Sequence, residues 1–351
     1  MSVSRAIAGL EAAVGGEHEA VAAMLAEGLS RVEERFDRQL RSDLPPVRAL
    51  VEHVERYRGK MLRPVMTLLC GLAQRGPDAS AADITDEHVT VGAVVEMIHV
   101  ATLVHDDVLD EAETRRRAQT VNNLRGNEVA VILGDYLISS AFHLCSGLDA
   151  QATATLIGGV TTRLCEGELL QLHHRDDFSL DEATYFEIVQ RKTAELIGAA
   201  CELGAGYSGA APATRQRLRD FGMRLGVAFQ IQDDLLDLTG EERVVGKSVG
   251  KDLEKGKLTL PLIHHLGRAD ATTRGQTLRL IGAGDPSNRH TGLDARAVRR
   301  ALEQTGSVEF ARETAQRLVN EAKGLLSDTL PASPAADLLH AVADAVVTRA
   351  F

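Results

Sequence analysis

The amino-acid sequence predicts an all-α protein, built as one large helical bundle of roughly a dozen helices. Aromatic residues make up only 3% of the 351 residues and Trp is absent, so the core would consist mainly of small and aliphatic side chains. Such a core suits packed helices better than strands, in which aromatic and β-branched residues dominate. No stretch has the composition of a linker, and we expect a single domain over residues 1–351, with 1–45 as an N-terminal helical segment packing on it.

The net charge of the chain, −11 at pH 7, argues against two kinds of partner. A nucleic acid would require a basic face, and a polybasic membrane anchor would require clustered Lys and Arg. Residues 1–20 meet acidic side chains too early for a signal peptide. The longest apolar run, 89–104, is interrupted by Glu96 and His99, which predicts a core helix and not a membrane span. We therefore expect a cytoplasmic protein with at most peripheral membrane contact.

Four cysteines are far apart and lack the paired spacing of a metal site, which predicts free thiols packed in the core: Cys70, Cys145, Cys165 and Cys201. A loop at 173–177 contains two His and two Asp residues. Because they show no ligand periodicity, we do not interpret this loop as a metal site.

The N-terminal half is predicted as a series of helices that leads to a central apolar helix. Residues 17–42 carry an apolar stripe at helical spacing and are closed by a pair of prolines. Residues 47–74 form a second and a third helical segment. The central helix is expected to begin near Thr85, with Asp86 and Glu87 in the first turn, where the helix dipole favours acidic side chains.

Further helices are predicted at 127–146, 151–172, 181–203 and 214–238, followed by four or five more from residue 258 onwards. Gly134 lies inside one of them and indicates close approach of a neighbouring backbone. Ser179 and Glu182 match a capping box. The stretch 239–257 is rich in Gly and Lys, and we interpret it as a mobile lid.

The central helix ends in three acidic residues followed by three arginines. Asp106 and Asp110 are four residues apart, so their carboxylates would lie one turn apart on the same face, next to Asp107. Oxygen ligands without His or Cys favour Mg²⁺, which takes one or two carboxylates and completes its shell with water and phosphate oxygens. The arginines at 115–117 suit phosphate binding. Taken alone, this motif could also be a solvated, capped helix end.

A second acidic triplet repeats the first at identical spacing. Asp233, Asp234 and Asp237 come at the end of another apolar helical run. Facing each other across a bundle, the two triplets could hold a cluster of Mg²⁺ ions around one diphosphate. The duplication therefore favours a functional site over surface charge.

At these motifs the chain resembles the trans-isoprenyl diphosphate synthases, also called polyprenyl synthetases. EMIHVATLVHDDVLDEAETRR resembles the first aspartate-rich motif of that family and GVAFQIQDDLLD the second. RGKMLRP at 58–64 is similar to its GKxxRP element, although Arg-Pro could also simply start a helix. Further matches follow in the family's order: GDYL at 134–137, EGELLQL at 166–172, KTAEL at 192–196 and GKSVGKDLEKGKLTLPLI at 246–263.

The resemblance implies an isoprenoid synthase fold with a central cavity, and a Mg²⁺-dependent prenyltransferase. In the implied reaction an allylic diphosphate ionises and is elongated head to tail by isopentenyl diphosphate; the released diphosphate accepts the proton. About three Mg²⁺ ions per site are implied, with Mn²⁺ as a substitute, and the protein is expected to be a homodimer.

The same resemblance assigns residues to roles. The implied metal ligands are Asp106, Asp107, Asp110, Asp233, Asp234 and Asp237. The implied contacts of the allylic diphosphate are Arg115, Lys192, Thr193, Gln230, Lys247 and Lys257. The implied contacts of isopentenyl diphosphate are Gly59, Lys60, Arg63, His99 and Arg116. For His105 a helix-packing role is at least as well supported. Arg58 and Arg117 replace two glycines of the family pattern, which would strain the backbone wherever φ must be positive.

The expected product length depends on the central helix. Short-chain members of the resembling family place a Phe or Tyr four or five residues before the first Asp, where this chain has Thr102 and Ala101, and Ile98 lies one turn deeper. One turn is about 5.4 Å, close to one extended prenyl unit. We therefore expect a product of about thirty carbons or more. The facing helix could instead close the end of the tunnel that holds the growing chain, through Leu133, Tyr136 or Leu137. The product would then be geranylgeranyl diphosphate, with about twenty carbons.

Two other classes of protein match the sequence less well. A class I terpene cyclase resembles the chain only at the first motif and lacks the second DDxxD. A non-catalytic subunit of a heteromeric synthase typically loses the acidic triplets, and here both are complete.

Overall fold

The computed structural model describes residues 18–57, 59–116, 118–148, 150–239, 250–282 and 295–348. In these ranges the elements are helices, apart from one antiparallel pair of two-residue strands, β1 (Thr114–Arg115) and β2 (Ala118–Gln119). The prediction of an all-α fold is confirmed. The predicted lid overlaps residues 240–249, which lie outside the described residues together with Arg58, Arg117 and Lys247.

The helices have the following bounds in chain order. The first seven are α1 (Glu19–Gln39), α2 (Pro45–Val54), α3 (Leu62–Arg75), α4 (Asp86–Leu109), α5 (Val121–Arg125), α6 (Asn127–Ser146) and α7 (Gln151–His173). They are followed by α8 (Glu182–Val189), a π-helical turn (Gln190–Ala194), α9 (Glu195–Tyr207), α10 (Pro212–Thr239) and α11 (Lys251–Glu254). The last five are α12 (Leu260–Arg268), α13 (Ala271–Leu280), α14 (Ala295–Gln304), α15 (Ser307–Thr329) and α16 (Pro334–Val347). Short 3₁₀ turns cover Glu55–Tyr57, Gly76–Asp78 and Ala81–Asp83.

By backbone contacts the chain divides into two compact units. The first unit comprises 1–161, 196–222 and 323–343, and the second comprises 162–195, 223–322 and 344–351. Each is described by itself below. The single domain expected over 1–351 stays a prediction.

Helix α4 is the core of the first unit and packs against α1, α3 and α6. It begins where expected: the backbone N–H of Thr85, the residue before it, donates to Nδ1 of His88 (3.2 Å). Both α4 and α6 are long and apolar enough to cross a membrane by length and composition alone. However, 78% of the apolar window of α4 is buried inside the protein, as in the core helix of a globular protein. For α6 the buried share is 39%.

The close approach predicted at Gly134 exists, but the neighbour is a side chain and not a backbone. A Cβ atom at Gly134 would lie 2.1 Å from Nε2 of His105 on α4. The same nitrogen lies 3.1 Å from the carbonyl oxygen of Val131. His105 therefore packs α4 against α6, the helix-packing role that the sequence left open.

In the second unit the predicted helix 181–203 is interrupted by the π-helical turn. The predicted capping box is wrong, because Asp181 caps α8 by accepting the N–H of Thr184 (2.8 Å). Ser179 instead donates to Asp177 (2.5 Å). Ser179 and Asp181 are both residue types that can accept a free N–H group at the start of a helix. Because α8 begins directly after Asp181, Asp181 is the capping residue.

One smaller expectation is also wrong. Cys165 on α7 is exposed, whereas Cys70, Cys145 and Cys201 are buried as predicted, and all four thiols are free. The Arg-Pro pair lies in the first turn of α3, which begins at Leu62 after Met61 in a left-handed conformation (φ 50°).

Candidate active site

The first acidic triplet lies at the end of α4 with the arrangement that the sequence predicts. The backbone N–H of Asp110 donates to the carbonyl oxygen of Asp106 (2.8 Å), so the two residues are one helical turn apart. Both side chains are half-buried. They remain the best-placed carboxylates of this triplet for a metal ion.

Asp107 differs from its neighbours, since it is only 1% exposed. Its Oδ1 accepts a hydrogen bond from Nε of Arg115 (2.8 Å) and forms an ion pair with Nη2 of the same side chain (2.8 Å). Oδ2 is buried and accepts no hydrogen bond from the described residues. Asp107 thus fixes the guanidinium of Arg115 at the end of α4.

Tyr57 completes this cluster and was missed by sequence reasoning. The Arg115 guanidinium lies 6.0 Å from the centre of its ring. Burial raises the pKa of the Tyr57 hydroxyl above its ordinary value, and the charge of Asp107 and a hydrogen bond to it raise the pKa further. The hydroxyl also accepts the N–H of Val121 (3.2 Å). A lone Tyr at a helix end gives no sequence signal for such a role.

The structure brings together two residues predicted for isopentenyl diphosphate, Gly59 and Arg116. Arg116 has a left-handed backbone (φ 49°), and its Nη1 donates to the carbonyl oxygen of Tyr57. A Cβ atom at Gly59 would lie 2.4 Å from Nη2 of Arg116. A side chain at position 59 would therefore displace this guanidinium. The exposed Lys60 follows directly in the chain.

His99 lies two turns before Asp106 on α4 and is half-buried. Burial holds the pKa of its imidazole well below the ordinary value, and the positive charges of Arg63, Arg116 and Arg115, in that order, lower it further. The three predicted arginines are therefore all close enough to His99 to lower its pKa. Such a group of fixed donors suits the oxygens of a diphosphate.

In the second unit Asp234 lies at the centre of a chain of hydrogen bonds. It is 5% exposed, and its carboxylate accepts the hydroxyl of Tyr185 (2.6 Å) and the amide of Gln230 (2.9 Å). Gln230 in turn accepts the hydroxyl of Thr193 (3.0 Å). Burial raises the pKa of Asp234 well above its ordinary value, and the charge of Asp252 adds to this rise. Tyr185 is a second residue that sequence reasoning missed.

Asp237 uses its carboxylate in a different way. Its two oxygens accept the backbone N–H groups of Lys251 (3.3 Å) and Asp252 (3.1 Å) at the start of α11. It thereby anchors the chain that follows the undescribed residues 240–249. Asp233 is half-buried like Asp237 and lies on the preceding turn of α10.

Of the predicted lysines in the second unit, the two that the structure describes are both half-buried. Lys192, in the π-helical turn, forms an ion pair with Glu168 of α7. The backbone N–H of Lys257 donates to the carbonyl oxygen of Asp252 (2.8 Å), close to the end of α11.

Among the described residues, no group of three or more His, Cys, Asp or Glu side chains is arranged to hold a metal ion by itself. Mg²⁺ is usually bound through one or two carboxylates plus water and phosphate oxygens. The half-buried Asp106 and Asp110, and the orphaned Oδ2 of Asp107, are hard oxygen donors that fit such an ion.

Comparison with known families decides the identity of this fold and its motifs. A family model described as Polyprenyl synthetase matches residues 45–295. The chain belongs to the polyprenyl synthetase family. The enzyme class expected from the sequence, a prenyltransferase, is thereby confirmed.

Several relatives of known name match nearly the whole chain. The octaprenyl diphosphate synthase of Escherichia coli (strain K12) is 33% identical over 333 residues, which cover 94% of this chain and 98% of the relative. A short chain isoprenyl diphosphate synthase of Methanothermobacter thermautotrophicus is 34% identical over 331 residues, 92% of this chain and 97% of the relative. Component 2 of the heptaprenyl diphosphate synthase of Geobacillus stearothermophilus is 34% identical over 325 residues, 93% and 97%.

A solved structure shows the same fold. The polyprenyl synthase from Caulobacter crescentus CB15, complexed with calcium and isoprenyl diphosphate, superposes with a TM-score of 0.84 at 33% identity, covering 95% of this chain and 98% of that one. The expected isoprenoid synthase fold is confirmed.

Proposed function

We propose that this polyprenyl synthetase condenses an allylic diphosphate with isopentenyl diphosphate, head to tail, and releases a long-chain all-trans polyprenyl diphosphate. One observation carries the proposal. In the first unit, Arg115 pairs with Asp107, which directly follows Asp106 in the sequence, and the guanidinium of Arg116 lies against Gly59 of the GKxxRP element. Carboxylates for a metal and cations for phosphate oxygens thus occur at one helix end.

The residues of the first unit divide into two tasks. Asp106 and Asp110 supply carboxylate oxygens, and Arg115, oriented by Asp107 and Tyr57, supplies a guanidinium for the allylic diphosphate. Isopentenyl diphosphate binds on Gly59, Lys60, Arg63, Arg116 and His99. His99 contributes a neutral N–H group at pH 7, because its pKa is lowered.

In the second unit Lys192 and Thr193 would hold the allylic diphosphate, and Lys257 and Lys247 would help to enclose it. Asp233 is the proposed metal ligand of this triplet, since it is half-buried whereas Asp234 is only 5% exposed. Asp234, Asp237 and Gln230 position their neighbours.

Mg²⁺ is the proposed metal, about three ions per site, with Mn²⁺ as a substitute. When bound, it would neutralise the charge that develops on the departing diphosphate. A relative complexed with calcium and isoprenyl diphosphate supports a divalent cation. The released diphosphate is proposed as the proton acceptor, so no side chain acts as general base. That both triplets hold one cluster of ions stays a prediction from the sequence.

The proposed product has about thirty carbons or more, because no aromatic side chain precedes Asp106 by four or five residues. Ala101 and Ile98 are fully buried in α4, and Thr102 is half-buried with its hydroxyl donating to the carbonyl oxygen of His99 (2.8 Å). Relatives of similar identity are named as octaprenyl and as short-chain synthases, so a geranylgeranyl product is the alternative.

We further propose a cytoplasmic homodimer. The exposed apolar side chains of α6 support a second copy as its partner, since Ile132 is 67% exposed and its neighbour Val131 is exposed too. Leu124 on the preceding helix α5 is also exposed. One relative is named as a component of a heptaprenyl diphosphate synthase, which makes a two-component assembly the competing arrangement.

Incubation of the purified chain with isopentenyl diphosphate, Mg²⁺ and each allylic primer in turn, followed by sizing of the products, tests the proposed function. We expect elongated diphosphates from the chain alone. A cyclic hydrocarbon would indicate a terpene cyclase, and absence of any product would indicate a subunit that requires a partner.

A further inference from the structure

The motif EGELLQL on α7 has no role in the proposed reaction, yet its first residues contact the cations of the π-helical turn. Glu166 forms an ion pair with Arg191, and Glu168 forms one with Lys192. Both pairs lie within the second unit. They place two carboxylates against the turn that carries a proposed diphosphate-binding lysine.

The backbone of the π-helical turn is held closely on two sides. A Cβ atom at Gly167 on α7 would lie 2.7 Å from the backbone nitrogen of Lys192. A Cβ atom at Gly226 on α10 would lie 2.6 Å from Cα of Ala194. The two glycines therefore allow both helices to contact the turn. Glu168 follows Gly167 directly and is thereby held close to Lys192. π-helical turns of this kind often occur at functional sites.

The two ion pairs differ in their surroundings. The side chains of Lys192 and Glu168 are 22% and 17% exposed, and Oε2 of Glu168 is buried with no other hydrogen bond from the described residues. Arg191 and Glu166 are 33% and 50% exposed, and Arg191 also binds Glu187 (2.9 Å). Loss of Lys192 would leave the buried Oε2 of Glu168 without a donor. The pair of Glu166 and Arg191 is more exposed, and such surface pairs contribute little to stability.

We infer that Glu168 is a positioning residue that orients the ammonium group of Lys192 for the diphosphate leaving group. The inference rests on the proposed function, in which Lys192 contacts the allylic diphosphate. An ammonium group has three N–H donors, so it can hold Glu168 and a phosphate oxygen together. The carboxylate fixes the direction of the ammonium group at the cost of placing a negative charge close to an anionic substrate.

This arrangement predicts that catalysis and binding respond differently to Glu168→Gln. Without the carboxylate, Lys192 is no longer held where charge develops, so kcat should fall about tenfold. The affinity for inorganic diphosphate with Mg²⁺, measured by calorimetry, should stay the same or increase, because the local charge becomes more positive. A purely structural role would lower kcat, affinity and thermal stability together.

Lysine variants separate the inference from the function on which it rests. Lys192→Ala should reduce kcat about a hundredfold and weaken diphosphate binding, because it exposes the bare carboxylate. Adding Glu168→Gln to Lys192→Ala should restore diphosphate affinity several-fold without restoring kcat. The matched control is Glu166→Gln, which removes the neighbouring charge from the same helix and should change neither quantity.

The outcomes are distinct. Unchanged kcat in Glu168→Gln, or a parallel loss of kcat and diphosphate affinity, would overturn the role of Glu168 while leaving the proposed function intact. Unchanged kcat and affinity in Lys192→Ala would instead remove Lys192 from the site. If Glu168→Gln does not fold, Glu168→Asp keeps the charge but shortens its reach; it should lower kcat and leave diphosphate affinity unchanged, and equal losses of both would count against the inference.

Discussion

At the scale of single residues, the two acidic triplets separate into carboxylates with different tasks. Asp107 and Asp234 are almost fully buried and accept hydrogen bonds from protein groups. Asp106 and Asp233 are half-buried and directly precede them in the sequence. Redirecting an almost fully buried carboxylate to a metal costs more than using a half-buried one. Asp106 and Asp233 are therefore the ligands whose loss should matter most.

We expect Asp106→Ala or Asp233→Ala to reduce kcat/KM about a hundredfold or more, the magnitude found when a key electrostatic group is removed. Chelation of divalent ions should abolish turnover in the unchanged enzyme. Steady-state kinetics at saturating Mg²⁺ would measure the loss. Asp78→Ala, which removes an exposed carboxylate from a 3₁₀ turn, is the control and should leave kcat/KM unchanged. Near-full activity of either triplet variant would contradict the metal assignment.

Tyr185→Phe should destabilise the protein, because it leaves the buried carboxylate of Asp234 without its 2.6 Å donor. The expected loss in the free energy of unfolding is about 1–3 kcal/mol, measured by denaturant titration. Tyr136→Phe is the matched control. Its hydroxyl makes only a 3.4 Å hydrogen bond and is half-buried, so its loss should have little effect. Equal stability of the two variants would mean that Tyr185 does not support Asp234.

At the scale of elements, the start of α4 depends on the protonation state of His88. Nδ1 accepts the N–H of Thr85 (3.2 Å), while Nε2 lies 2.9 Å from the carbonyl oxygen of Gly204 and therefore carries the proton. Burial lowers the pKa of His88 below its ordinary value of 6.5. Protonation of Nδ1 would place two donors against each other at the helix start.

The unfolded chain takes up a proton at His88 near pH 6.5, whereas the folded chain does so only at lower pH. The contribution of neutral His88 to the free energy of unfolding is therefore present above pH 6.5 and is lost as the pH falls towards the folded pKa. We expect the melting temperature to fall less between pH 7.5 and 5.5 in His88→Gln than in the unchanged protein. His143→Gln, at an exposed position of α6, should keep the original pH dependence. An identical pH dependence in His88→Gln would refute the argument.

The middle of α4 is proposed to set the length of the product. Ala101→Phe would place a ring one turn before the first acidic residues, where it would block a growing prenyl chain. We expect chromatography of the products to show shortening to about fifteen or twenty carbons, with the first condensation preserved. Thr102→Val, similar in size to the residue it replaces, should leave the product length unchanged. An unaltered product distribution in Ala101→Phe would mean that another helix closes the end of the tunnel.

At the scale of the whole molecule, the exposed apolar side chains of α6 form the surface through which we propose that two copies associate. Ile132→Lys should convert the proposed dimer to a monomer, because it would place a charge at the centre of an apolar contact. Light scattering after size-exclusion chromatography would measure the mass. The exposed Leu44, in the segment before α2, offers a control in Leu44→Lys, which should remain dimeric. Monomeric unchanged protein would exclude the second copy as the partner of this surface.

Patterns within one helix were predictable from the sequence. The start of α4 at Thr85, the spacing of Asp106 and Asp110, and the all-α class follow from propensity and periodicity, which act over a few residues. The interruption at Gln190–Ala194 was not predictable, because local propensity favours a continuous helix there. Only contact with Gly167 and Gly226 shows how closely neighbouring helices approach the turn.

The sequence by itself therefore determined the fold class, the family motifs and the candidate residues of both triplets. The tertiary structure decided which residues hold these candidates in place. Asp107 and Tyr57 contact Arg115, and Arg116 lies beside Gly59. Tyr185 donates to Asp234, and Glu168 forms an ion pair with Lys192. Burial and pairing depend on which distant segments pack together, and a pattern read along one helix contains no information about the residue that faces it.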